Sequence, residues 1–181
     1  MPYPSLRNFL ERLEKSGELV RVAERVSLDL DMAAIADRAA KQGGPAFLFE
    51  SPSSGSLPVA MNLFGTRRRT AWALSCEDVE EIAGELRALL RMAPPQGFWE
   101  KLKMLPKLGR LASYAPKHHS DGPVREVVER EPDLGSLPVL KTWPHDGRPF
   151  ITLPQVVTRD PETGLRNVGM YRVQVLGPRR V

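Results

Sequence analysis

Leu6, Phe9, Leu10 and Leu13 fall at i, i+3, i+4 and i+7 behind Ser5. That spacing predicts a helix capped by the serine, with Gly17 as its stop. Leu19 to Val26 follows as a strand with exposed charges. Asp29 or Asp31 opens a second helix with Met32, Ile35, Ala36 and Ala39 on one side, and Gly43-Gly44-Pro45 ends it. Ala46-Phe47-Leu48-Phe49 is short and wholly apolar, the mark of a buried strand. Leu57 to Leu63, beyond the polar loop Ser51 to Ser56, is a further strand candidate. Another helix is expected from Ser75, with Asp78 in an imperfect capping box and Val79, Ile82, Leu86, Leu89 and Leu90 as its buried stripe.

Pro94-Pro95 breaks that helix. From Phe98 to Leu111 the chain is basic and amphipathic, interrupted by Pro106. Such a segment could touch a membrane surface or a partner chain, or lie as a surface helix on its own domain. Ala115 to Pro123 consists of loop formers, and a boundary placed there divides the chain into 1–115 and 116–181. Beyond it the pattern turns to short strands. Val124 to Glu129 resembles an edge strand, Asp133 to Pro138 a turn and Ile151 to Thr158 a strand. The loop Arg159 to Gly164 closes a hairpin with a strand from Asn167 to Gln174. Short strands with turn signals suggest a barrel or sandwich, so the expected class is α+β.

The 181 residues suit one domain or two small ones, and 41% hydrophobic content is enough for a core. The formal charge of +4 is a mild excess spread along the chain. It leaves nucleic-acid binding possible without promoting it, and is equally compatible with a phosphate- or carboxylate-bearing ligand. One cysteine, Cys76, excludes an intrachain disulfide and a four-cysteine metal site. Residues 1–25 hold no apolar core of signal-peptide length and no run approaches a membrane span, so a cytoplasmic protein is expected.

Several tempting motifs have plainer explanations. The glycines at 43, 44 and 65 lack the order of either phosphate-binding loop. Arg67-Arg68-Arg69 could hold a phosphate, but adjacent side chains diverge and a solvated loop is expected. Glu77, Glu80, Glu81 and Glu85 favour the positive end of a helix dipole and need not bind metal. His118-His119 has no third ligand at a recognisable spacing. The stretch Asn167-Val168-Gly169-Met170-Tyr171-Arg172-Val173-Gln174 is different. It puts an amide oxygen, suited to a hard divalent ion, beside a guanidinium suited to a phosphate.

Asn-x-Gly-Met-Tyr-Arg, preceded by Thr142-Trp143-Pro144 and Pro149-Phe150-Ile151-Thr152, resembles the UbiD-type decarboxylases. The likeness extends back through Asn62-Leu63-Phe64-Gly65, Gly43-Gly44-Pro45-Ala46 and Gly17-Glu18-Leu19 to Leu6-Arg7-Asn8-Phe9-Leu10. These are prenylated-FMN-dependent carboxy-lyases, among them the polyprenyl-hydroxybenzoate decarboxylases of ubiquinone synthesis. Family members are much longer, so this chain looks like an N-terminal part. The resemblance implies an N-terminal α/β domain followed by the opening strands of a split β-barrel that binds flavin. It implies Asn167 as a ligand of Mn2+ or Mg2+, and Met170, Tyr171 and Arg172 lining prenylated FMN. No catalytic acid or base of the family falls on this chain. The implied substrate is an aromatic or α,β-unsaturated carboxylic acid, handled by a full-length homo-oligomer, with this portion alone inactive. A non-catalytic interaction or scaffold module that kept the front half of the fold is the alternative.

Overall fold

The structure, a computed structural model, describes residues 3–91, 109 and 120–181. Helix α1 spans Leu6–Lys15, and the Ser5 side chain accepts a hydrogen bond from the Asn8 N–H, as the spacing predicts. Its apolar stripe buries Phe9 and Leu13. Gly17, at φ +70°, turns the chain into strand β1, Leu19–Val26. Helix α2, Asp31–Lys41, buries Met32, Ala36 and Ala39, while Ile35 stays partly exposed. No side chain caps it. Leu30 stands at its N-terminus in a left-handed conformation instead. Gly43, also left-handed, ends α2, with the Gly44 N–H reaching back to the Ala39 carbonyl at 2.8 Å.

Strand β2, Ala46–Pro52, pairs in parallel with β1, so β1, α2 and β2 form a crossover unit. Strand β3, Val59–Met61, is shorter than the Leu57–Leu63 run and pairs antiparallel to β2. The order β1-β2-β3 leaves β2 central, which is why it is the apolar one: Ala46, Leu48 and Phe49 are all buried. Edge strand β1 exposes Arg21, Glu24 and Arg25, charges that discourage further pairing. Two apolar clusters flank the sheet. Leu28, Met32, Phe49 and Val59 make one, with Leu140 packed against it. Phe9, Leu13 and Ala46 make the other, joined by Leu63 and Trp72.

The arginine run corrects the expectation of a solvated loop. Arg67–Leu74 is helix α3, begun by Thr66, whose side chain accepts from the Arg69 N–H. The three side chains do diverge, but Arg69 goes inward and is fully buried. Its Nη1 meets Glu18 Oε2 at 2.7 Å, and its Nη2 donates to the carbonyls of Gly44 and Asn62 at 2.9 and 3.1 Å. One guanidinium thus ties the starts of β1 and β2 to the end of β3. Arg68 takes the other Glu18 oxygen from the surface, at 2.6 Å. Gly65 is needed where the chain folds over this junction, because a Cβ there would stand 1.8 Å from Asn62 Oδ1.

Ser75 does not start a helix; it is the left-handed C-cap of α3. Helix α4 begins at Val79 and runs to Leu90 with no buried residue, so the expected stripe is not a core face. Leu86 and Leu90 are exposed. Residues 1–79 with 131–181 form one unit and 80–130 a second. In the second unit Val124 to Glu129 is not a strand. Pro123–Arg125 is a turn of 3-10 helix, and Val124, Val127 and Val128 stand in solvent. The basic segment from Phe98, apart from Gly109, and the His118-His119 pair lie outside the described residues. Among the described residues no helix is long and apolar enough to cross a membrane.

Residues 131–181 join the first unit by main-chain bonds. Lys141 N–H donates to the Leu28 carbonyl, and Leu30 N–H donates to that of Lys141, both at 3.0 Å. Asp133 caps a turn at Leu134–Ser136, as predicted. The expected Ile151–Thr158 strand is split by Leu153, which takes a left-handed conformation. The pieces are β4, Phe150–Ile151, and β5, Gln155–Arg159. Strand β6, Arg166–Met170, completes a hairpin with β5, and β7, Val173–Gln174, pairs with β4.

Candidate functional site

The β5–β6 hairpin is set by its loop. Asp160 Oδ1 accepts from the backbone N–H groups of Thr163 and Glu162 at 2.7 and 2.8 Å, and Gly164 takes the left-handed position. Those N–H bonds, that of Thr163 first, hold the Asp160 carboxyl below the usual range. Because the folded group is the stronger acid, the anchor is fully present above the pKa of the unfolded chain. It is lost as pH falls through the folded value. The amide resonances of Glu162 and Thr163 are therefore expected to titrate together in acid, below about pH 4. Asp160→Ala removes that titration.

The register of β6 sorts the site residues. Thr158 lies opposite Asn167, and Val157 opposite Val168. Alternation then puts Asn167 and Gly169 on one face, and Val168 and Met170 on the other. Tyr171 folds back over the first face. A Cβ on Gly169 would stand 2.5 Å from the tyrosine ring, so only glycine lets the ring lie there. The phenol oxygen comes to 3.5 Å from the Asn167 amide nitrogen. Spacing of two residues and then two more thus gives one small surface of amide, bare backbone and phenol. Val157, Val168 and Met170 are exposed on the opposite side.

Arg172 belongs to neither face. It lies between β6 and β7 and turns toward the loop before β4. Its Nη2 meets Asp146 Oδ2 at 2.5 Å, and its guanidinium sits 4.0 Å from the centre of the Phe150 ring. The register Phe150 opposite Gln174 and Ile151 opposite Val173 brings that ring beneath it. The Asp146 side chain is 10% exposed and that of Arg172 48%. Among the described residues no other hydrogen-bond partner meets Arg172, whose side chain is half exposed. The site therefore brings Asn167 and Tyr171 together, places Met170 behind them, and holds Arg172 on a separate support. Asp146 and Phe150 were not among the predicted site residues. An acid in a Pro-His-Asp-Gly turn has no sequence signal linking it to an arginine 26 positions on.

These residues can be compared with the groups expected to bind. Among the described residues no three of His, Cys, Asp and Glu cluster as a metal site would require. Asn167 offers one neutral oxygen, and among the described residues no such cluster joins it. A flavin phosphate suits Arg172 better, since a half-exposed guanidinium can still donate to an anion.

Residues 10–86 match the 3-octaprenyl-4-hydroxybenzoate carboxy-lyase N-terminal domain, and residues 116–181 match the Rift-related domain of the same lyases. An uncharacterised protein of Aquifex aeolicus is 45% identical over 177 residues, 96% of this chain and 36% of that protein. Among solved structures, an evolved dimeric form of the UbiD-class enzyme HmfF from Pelotomaculum thermopropionicum, in complex with prFMN, superposes with a TM-score of 0.73. It is 31% identical and is matched over 97% of this chain and 37% of its own. The open form of vanillic acid decarboxylase from Sedimentibacter hydroxybenzoicus also reaches 0.73, at 28% identity, over 97% and 35% of the two chains. The chain belongs to the UbiD family. It corresponds to the N-terminal portion of its members and spans about a third of the length of the relatives it matches.

Proposed function

We propose that the protein carrying this chain is a prenylated-FMN-dependent carboxy-lyase for an aromatic or α,β-unsaturated carboxylic acid. In that reading residues 1–115 are the N-terminal domain, and 116–181 open the flavin-binding barrel. The supporting observation is Arg172, held by Asp146 and Phe150 yet half exposed, inside the segment that matches the Rift-related domain. Loss of carbon dioxide leaves electron density on carbon that side chains cannot accept, and the bound flavin supplies the sink.

The residues of this chain bind and orient. Arg172 presents its exposed N–H groups to an anionic group of the flavin. Asn167 offers its amide oxygen to the Mn2+ or Mg2+ that accompanies the phosphate. Tyr171, fixed over Gly169, and Met170 form contact surface for the cofactor. Homo-oligomeric assembly and a cytoplasmic location complete the proposal, and neither a nucleic acid nor a membrane enters it.

Quenching of flavin fluorescence tests the binding step. FMN titrated into the 181-residue chain with manganese is expected to saturate. The Asn167→Ala, Arg172→Ala double variant is expected to bind about 10–100-fold more weakly, the effect of losing charge-assisted bonds. Saturable binding unchanged in the variant would remove these residues from the site.

A further inference from the structure

A cleft of about 540 Å³ opens elsewhere on the first unit. Its walls come from three separate stretches of chain. Ser27 and Asp29 follow β1, Ser53 and Ser54 follow β2, and Lys141 and Arg148 precede β4. The rest of the lining is neutral, so the cleft holds two cations and one carboxylate. None of Asn167, Met170, Tyr171 or Arg172 lines it. Its donors are held in place by the protein itself. Main-chain bonds on both sides of Lys141 join it to Leu28 and Leu30. The Lys141 side chain is 25% exposed, yet its Nζ has only Asp29 Oδ1 at 3.8 Å, too far for a hydrogen bond. An ammonium mostly withdrawn from water, with no acceptor in reach among the described residues, is incompletely satisfied. Ser53 Oγ accepts the Leu28 N–H at 3.0 Å, which fixes the oxygen and leaves the hydroxyl proton to donate. Arg148 Nη1 donates to the Leu176 carbonyl at 3.2 Å. Its Nε and Nη2 side, with two parallel N–H groups, has no protein acceptor among the described residues.

We propose that this cleft binds a phosphate group, with Lys141 and Arg148 as its cations and the Ser53 and Ser54 hydroxyls as further donors. A phosphate offers acceptor oxygens in several directions, which suits donors arriving from separate segments; a planar carboxylate offers fewer. Asp29 is the one opposing charge. Its side chain is 67% exposed, and its long contact with Lys141 costs little to give up. The bound group bridges the segments that match the N-terminal and Rift-related domains, so it stabilises the unit they share. The inference stands apart from the flavin reading, which uses no residue of this cleft.

Inorganic phosphate and glycerol 3-phosphate, each titrated into the 181-residue chain at fixed pH and ionic strength, test this. The readout is the shift of assigned backbone amide resonances by NMR. Saturable shifts at Ser53, Ser54, Lys141 and Arg148 are expected. Lys141→Gln and Arg148→Gln are each expected to weaken binding about 10-fold. At about ten times Kd the melting temperature is expected to rise by about 3–6 °C. Saturation by either probe supports the site, and the tighter one identifies the source. Inorganic phosphate points to the free ion, the ester to a phosphorylated metabolite. Shifts matched by chloride, shifts that do not saturate, or unchanged affinity in either variant overturn the proposal. So do shifts lost in Arg172→Ala and kept in Lys141→Gln, which place the phosphate on the other surface. If one of the two cleft variants fails to fold, the other decides alone.

Discussion

Glu18→Ala is expected to lower the melting temperature by on the order of 10 °C. The change strips the counter-ion from Arg69, whose side chain is fully buried, and leaves a cation with only carbonyl partners. Breaking a buried pair by removing one member destabilises by roughly 3–5 kcal/mol. Glu18 keeps 20% of its side chain exposed, so the lower end applies. Arg68→Ala is the control. It removes the second ion pair to the same carboxylate from a side chain that is 59% exposed. Surface pairs contribute about 0–1 kcal/mol, so its melting temperature is expected to fall by no more than about 4 °C. Arg69→Met is not a benign exchange either, since it leaves the carbonyls of Gly44 and Asn62 without their guanidinium donor. Equal, small shifts for Glu18→Ala and Arg68→Ala in thermal melts would show that the Arg69 pair does not hold the strand ends together.

Phe49→Ala is the second large effect. The ring is fully buried on the central strand, among Leu28, Met32 and Val59, and stacks on Phe47 with centroids 5.7 Å apart. Truncating a core phenylalanine costs about 3–5 kcal/mol through lost transfer energy and the cavity left behind. Urea unfolding should show the loss as a lower midpoint with an unchanged slope. Phe49→Leu, which fills most of the space, should recover more than half of it. A midpoint within error of wild type for Phe49→Ala would mean that the apolar cluster is not the centre of this unit.

The first half of the fold was open to sequence reading because periodicity and burial coincide there. The stripe from Leu6 to Leu13, the wholly apolar Ala46–Phe49 and the stop at Gly43-Gly44 each reflect a local rule that the fold obeys. The arginine run reads as a loop because three adjacent cations suggest solvent. What draws Arg69 inward is Glu18, 51 positions earlier, together with two carbonyls at strand ends. The local signal was Thr66, an N-cap residue, ahead of an alanine-rich run. Ser75 reads as a helix start for a related reason. Serine is a good N-cap in isolation, but here the preceding helix needed a left-handed residue to end it.

At the candidate site the hairpin was legible from Thr163-Gly164 and the alternation around it, but the division of labour was not. Asn167 and Met170 stand on opposite faces by simple register. Tyr171 returns to Asn167 only because Gly169 has no side chain. The support of Arg172 by Asp146 and Phe150 is a long-range contact that no spacing encodes.

The measurement closest to the central claim is flavin retention by this chain extended through the rest of its barrel. The wild-type protein and the Asn167→Ala, Arg172→Ala variant would be loaded with prenylated FMN and manganese, then desalted. The flavin absorbance remaining with the protein is the readout. Near-stoichiometric retention by the wild type and loss from the variant is the expected result. Equal retention by both would contradict the assignment of this surface to the cofactor.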